Sequence, residues 1–208
     1  MNKYIMELIG TFFLVLTIGL NVIGGGAGGI PPLAIAAVLM VMIFAGGHIS
    51  GAHYNPAVTL AVWMRGRCAT KHVVPYWVVQ IIAAAAAAAI IKILRAGVEI
   101  KPMSLDTVPA LIAEFLFTFA LAFVILNVAT SKDTAGNSFY GLAIGFTVLA
   151  GAFSVGNISG GAFNPAVAIG ISAMGLVGWG NLWIYLVANL LGGAAAAIVF
   201  KSLNPEDK

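Results

Sequence analysis

The chain is nearly devoid of charge. Only 8% of its 208 residues are Asp, Glu, Lys or Arg, against about 25% in a soluble domain. None of these four occurs between Leu8 and Met64, and none between Thr134 and Phe200. Runs of that length exceed the roughly 20 apolar residues that a spanning helix needs. With a mean hydropathy of +1.04, they exclude a soluble globular protein and predict a polytopic membrane protein. Cysteine is also scarce. Cys68 stands alone, which excludes an intrachain disulfide, and in a loop expected to be cytoplasmic it reads as a reduced, inert thiol. The three histidines, at 48, 53 and 72, are too scattered for a metal site. No paired acid and base or nucleophile elbow is present, so no enzyme and no cofactor is expected. The net charge of +3 comes from bases at helix ends, which fits topology rather than nucleic acid. Gly24–Gly29 lacks the Lys-Ser/Thr of a phosphate loop. The first apolar run leads into that Gly-rich loop, with no small-residue cleavage site, so no cleavable signal peptide is expected.

What the chain does have is a duplicated motif. Ile49-Ser-Gly-Ala-His-Tyr-Asn-Pro-Ala-Val58 returns as Ile158-Ser-Gly-Gly-Ala-Phe-Asn-Pro-Ala-Val167, with seven of ten positions identical. Proline at the first helical position behind an Asn cap marks a helix N-terminus. The segments 55–64 and 164–174 are too short to cross a bilayer, so each reads as a half-helix starting near mid-membrane. The backbone before each, Gly46–Tyr54 and Ser154–Phe163, is expected to be irregular. That is tolerated at membrane depth only where it is buried in protein or lines a wet cavity.

Six full spans are predicted at 4–23, 32–47, 73–92, 108–129, 138–156 and 179–201. Gly24 to Pro32 reads as a loop, and Ser131 to Asn137 as a short turn. The repeat extends to Glu7-x-x-x-Thr11 and Glu114-x-x-x-Thr118, and to Gln80 and Asn189. Residues 1–102 and 103–208 therefore form two halves of one domain, each with three spans and a half-helix. Three is odd, so the halves are inverted, an architecture of transport proteins. The side holding both termini carries Lys3, Arg65, Arg67, Lys71, Lys132, Lys201 and Lys208, against Lys92, Arg95 and Lys101 opposite. By the positive-inside rule the termini are cytoplasmic. The Ala83–Ala89 run is expected to serve close helix packing. Trp63, Trp77, Trp179 and Trp183 lie near span ends and read as interface anchors.

Two half-helices meeting N-terminus to N-terminus would place two positive dipole ends at the membrane centre. Asn55 and Asn164 would cap them and turn amide hydrogens into a lumen, repelling cations. These residues resemble the aquaporin superfamily, the major intrinsic proteins, over essentially the whole chain. Gly47-His-Ile-Ser-Gly-Ala-His-Tyr-Asn-Pro-Ala-Val-Thr59 matches that family almost letter for letter. The resemblance implies an all-α membrane protein with six transmembrane helices and two re-entrant half-helices. It implies a homotetramer in a cell (inner or plasma) membrane, with a pore in each subunit for passive flux of water and small neutral solutes. Asn55, Pro56, Ala57, Asn164, Pro165 and Ala166 would form its paired motif. Glu7 and Glu114 would brace the loops, with His48 in a lining or bracing role. A carboxylate in a span must in any case meet donors.

The second copy departs from the family pattern. Val167 stands where most members have an arginine. By resemblance, the remaining constriction positions are Ile35, Ala152 and Gly161. A water-specific member would show an aromatic, a His, a small residue and Arg. The ring here is wider, apolar and uncharged. Some plant vacuolar members also carry Val there, so the pore is not expected to be dead. Ala168 stands where glycerol facilitators have Asp. Two alternatives stay open. One is a channel mainly for urea, ammonia, glycerol or dissolved gas with low water flux. The other is a non-conducting structural membrane protein, against which small Ala152 and Gly161 argue. A coupled transporter would need a free acid in the pathway, and Glu7 and Glu114 read as braces.

Overall fold

The structure, a computed structural model, describes residues 1–25 and 29–207. The centre of the Gly-rich loop and Lys208 lie outside the described residues. Among the described residues eight α-helices follow in order: α1 Asn2–Val22, α2 Pro31–Ser50, α3 Pro56–Met64, α4 Thr70–Leu94, α5 Thr107–Thr130, α6 Tyr140–Ser159, α7 Pro165–Met174 and α8 Leu182–Leu203. Six of them, all but α3 and α7, are long and apolar enough to cross a membrane. Their outward faces stay apolar: Phe153, Leu191, Ile198 and Trp183 are all exposed. An apolar exterior of that extent suits lipid as solvent.

The packing follows the sequence repeat. α1 packs on α2 and α4, and α5 packs on α6 and α8. α2 meets α6 between the halves. Each half-helix then lies against the other half: α3 on α8, and α7 on α4. Small residues make those crossings close. A Cβ added to Gly193 on α8 would come within 2.6 Å of the Ala57 carbonyl oxygen of α3. Opposite it, Ala84 of α4 faces Gly170 of α7. The alanine run reads as packing in the structure too, since Ala83, Ala84, Ala87 and Ala88 are all buried.

One expectation is corrected. Helicity does not fail at Gly46 or Ser154. α2 runs on to Ser50 and α6 to Ser159. Both end on a glycine in the left-handed region, Gly51 at φ 88° and Gly160 at φ 83°, a conformation that glycine adopts without a Cβ penalty. The non-helical stretches are therefore only 51–55 and 160–164.

Candidate functional site

Each half-helix starts in the same way. Asn55 is extended, and its side-chain oxygen accepts from the N–H groups of Ala57 and Val58, at 2.8 and 3.4 Å. Asn164 caps α7 likewise through Ala166 and Val167, at 2.9 and 3.4 Å. The amide nitrogens reach across the junction. Asn55 Nδ2 donates to Phe163 O and Asn164 Nδ2 to Tyr54 O, both at 2.9 Å. Each amide thus spends one hydrogen holding the two half-helices together and keeps one more. Sequence reasoning assigned these hydrogens only to a lumen and missed the reciprocal tie.

The extended segments are fastened from behind by the buried acids. Glu7 accepts from Ser50 Oγ (2.7 Å), His53 N (2.9 Å), Tyr54 N (2.6 Å) and Gln80 Nε2 (2.9 Å). Glu114 accepts from Ser159 Oγ (2.7 Å), Ala162 N (2.9 Å) and Phe163 N (2.7 Å). Tyr76 and Tyr185 complete the brace, donating to the carbonyls of Ser50 and Ser159 at 2.7 and 2.6 Å. The two tyrosines were not singled out from the sequence, although they sit at the offset of the repeated motif. His48 takes no part in the brace. It lies in the last turn of α2, on the wall of a vestibule, with no hydrogen bond among the described residues. Trp77 also has a different job from the expected one. Its Nε1 donates to Pro56 O at 3.0 Å, holding the start of α3.

The backbone is strained where it is braced. Ala52, Tyr54 and Phe163 hold φ near +50°, a region that costs a non-glycine residue about 1–3 kcal/mol. That geometry frees a row of carbonyls. Among the described residues, no protein donor reaches the carbonyl oxygens of Gly51, Ala52 and His53, or those of Gly160, Gly161 and Ala162. An unpaired carbonyl at membrane depth is tolerated beside water, not beside lipid.

These segments border a cavity of about 150 Å³. The structure brings Asn55, Asn164, Ile35, Ala152, Gly161 and Val167 together on its wall. The rest of the wall is mainly aliphatic, with Leu14, Ile18, Leu39 and Val148 among its members, and no charged side chain among the described residues lines it. Gly161 and Ala152 touch: a Cβ on Gly161 would lie 3.5 Å from Ala152 Cα. Pro56, Ala57, Pro165 and Ala166 are buried beside the cavity rather than on its wall. A larger vestibule, bordered by His48, His53, Arg67 and Lys132, adjoins on the side of the termini. Glu99 and Lys101 border a smaller one opposite.

The family model for the major intrinsic proteins matches residues 1–200. The chain belongs to the major intrinsic protein family. Similar family members include aquaporin NIP1-3 of Oryza sativa subsp. japonica, 37% identical over 218 residues, which cover 100% of this chain and 75% of that protein. Aquaporin Z of Rhodopseudomonas palustris is 33% identical over 230 residues, covering 99% and 94%. The fold matches that of the aquaglyceroporin from Plasmodium falciparum, with a TM-score of 0.83, 22% identity and coverage of 98% and 97%. As a major intrinsic protein, the chain is a multi-pass transmembrane channel for water or small solutes and not an enzyme.

Proposed function

We propose that the chain conducts both water and small neutral solutes passively through the cavity between its half-helices. The observation that carries this reading is the wall itself. Two asparagines, each with an amide hydrogen to spare, share the wall of one cavity with Ile35, Ala152, Gly161 and Val167, which we take as its constriction. Permeants exchange water for the spare amides and the unpaired carbonyls, a net exchange of modest cost. The facing helix N-termini repel cations there. Ile35, Ala152 and Val167 admit a wider solute than an aromatic, a histidine and an arginine would. Glu7 and Glu114 act as braces, since their oxygens are already engaged. The halves 1–102 and 103–208 act as inverted repeats around one pore. We place the pore in a cell (inner or plasma) membrane, termini cytoplasmic, as a homotetramer.

The mainly aliphatic wall favours a second reading, a pore for solutes or gases with low water flux. Stopped-flow light scattering on proteoliposomes separates the two. Wild type should pass water, urea and glycerol well above empty vesicles. Val167→Arg should lower urea and glycerol flux about tenfold or more while water flux persists, a change of ~1.4 kcal/mol in the solute barrier. Water flux at the empty-vesicle level in wild type would discard the water reading.

A further inference from the structure

The two mouths of the pore differ in charge. The mouth opposite the termini is bordered by Glu99 and Lys101, which offset each other. The terminus-side vestibule is bordered by Lys3 of α1, Arg67 of the turn after α3 and Lys132 of the turn after α5. Among the described residues, no Asp or Glu borders it. Asp207 is enclosed, its side chain 8% exposed, and is engaged by Arg65 and by Lys132 N, with Arg67 at 3.6 Å. Among the described residues, no carboxylate pairs with the side chain of Lys3 or of Lys132. The positive-inside rule accounts for bases on this side. It does not ask that bases from three segments share one wall, or that acids keep off it.

The wall is concave and its charges act on one space. Lys3 is within electrostatic reach of Cys68 and His72, which border the same vestibule. A cleft lined by one sign of charge focuses the field and concentrates counter-ions. α4 also starts at this wall, with Ala69 and His72 bordering it. No side chain caps that helix and no acid lies in its first turn, so its dipole adds to the positive field. The vestibule, of about 1050 Å³, has room for a hydrated oxyanion. The anion stops there. Ile43, Ala52 and Ile144 border both the vestibule and the central cavity, whose wall is mainly aliphatic, and an ion stripped of water in such surroundings is costly.

We infer that the terminus-side vestibule binds a phosphate group, free or as the headgroup of an anionic lipid, and that the bound anion obstructs the pore mouth. Lys3, Arg67 and Lys132 hold it by charge-assisted hydrogen bonds. The inference rests on the pore reading above.

The test reads water flux by stopped flow in proteoliposomes of zwitterionic phosphatidylcholine. Inorganic phosphate is present on both faces, and ionic strength is held constant with chloride so that screening does not change. Each protein is compared with its own phosphate-free flux. Phosphate should lower wild-type flux several-fold. Lys3→Gln/Lys132→Gln should need about tenfold more phosphate for the same effect, as two fewer cations beside an anion predict. A second arm adds phosphatidylglycerol to the vesicles and omits free phosphate. Inhibition in this arm alone, lost in the double variant, assigns the site to a lipid headgroup. Broadening of the ³¹P signal of phosphate by protein in a phosphate-free detergent reads binding apart from flux, and it should weaken in the double variant. Wild-type flux that neither arm changes overturns the inference and leaves the pore reading intact. Inhibition that the double variant retains in full does the same. A wild type that conducts no water overturns the pore reading, and the ³¹P titration then decides the anion site by itself.

Discussion

At the scale of the residue, the two glutamates decide whether the site exists. Their roles were legible in the sequence because a carboxylate in an apolar span is costly enough to need a specific reason. Their partners were not legible, because serine and tyrosine in a span are common and cheap; only the shared offset of Tyr76 and Tyr185 signals them. The structure adds an asymmetry between the acids. Glu7 takes four hydrogen bonds, one of them from Gln80, whereas Glu114 takes three, its contact with Asn189 falling short of hydrogen-bond geometry. A glutamine keeps one acceptor oxygen and turns an NH₂ toward donors. Each buried donor left unpaired costs about 1–3 kcal/mol. Glu7→Gln should therefore destabilise the protein by about 2–6 kcal/mol, and Glu114→Gln by less. Thermal unfolding in detergent checks the order. Equal losses, or a larger loss in Glu114→Gln, would mean that the donor count does not govern the brace.

At the scale of the element, the helices were legible and their ends were not. The paired Asn-Pro marks the starts of α3 and α7 because a cap and a proline are local signals. The ends of α2 and α6 are set by tertiary anchors instead: Ser50 and Ser159 stay helical so that their hydroxyls and carbonyls reach the acid and the tyrosine. A run of small polar residues says nothing of that. The ring at Ile35, Ala152, Gly161 and Val167 came from resemblance alone, and its convergence on one cavity needed the fold. How tightly that fold is held shows at Gly193. α8 lies so close to α3 that a methyl there would press on the Ala57 backbone at 2.6 Å. Backbone cannot rotate away as a side-chain tip can. Gly193→Ala should cost about 1–3 kcal/mol as overpacking. It should also displace Asn55, two residues from Ala57, and reduce water flux several-fold. Ala84→Gly, which removes a methyl from the facing contact on α4, should leave flux unchanged. Wild-type flux in Gly193→Ala would show that the half-helix is not fixed by this crossing.

At the scale of the whole molecule, the terminus-side surface is drawn together by one carboxylate. Asp207, beyond α8, accepts from Arg65 Nη2 at 2.6 Å and from Lys132 N at 3.0 Å, with Arg67 at 3.6 Å. Three segments distant in sequence meet there: the turn after α3, the turn after α5 and the segment after α8. Arg65 is enclosed, its side chain 1% exposed and its guanidinium 4.8 Å from the centre of the Phe200 ring. Removing one partner of such a pair strands a buried charge and is worse than never having had it. Burial alone would raise the Asp207 carboxyl. Hydrogen bonds from Lys132 N–H and Ser131, together with Arg65, outweigh it and hold the group below its ordinary 3.8. A carboxyl with a lowered folded-state value contributes stability above its unfolded value and loses it as the pH falls through the folded one. The contribution is thus complete at neutral pH and disappears in acid below 3.8. Asp207→Asn should melt at a lower temperature than wild type at pH 7, and the gap should close as the pH falls below that value. Thermal scans across the pH range check this. A gap that is absent at pH 7, or that stays constant into acid, would show that the charge on Asp207 does not hold the three segments together.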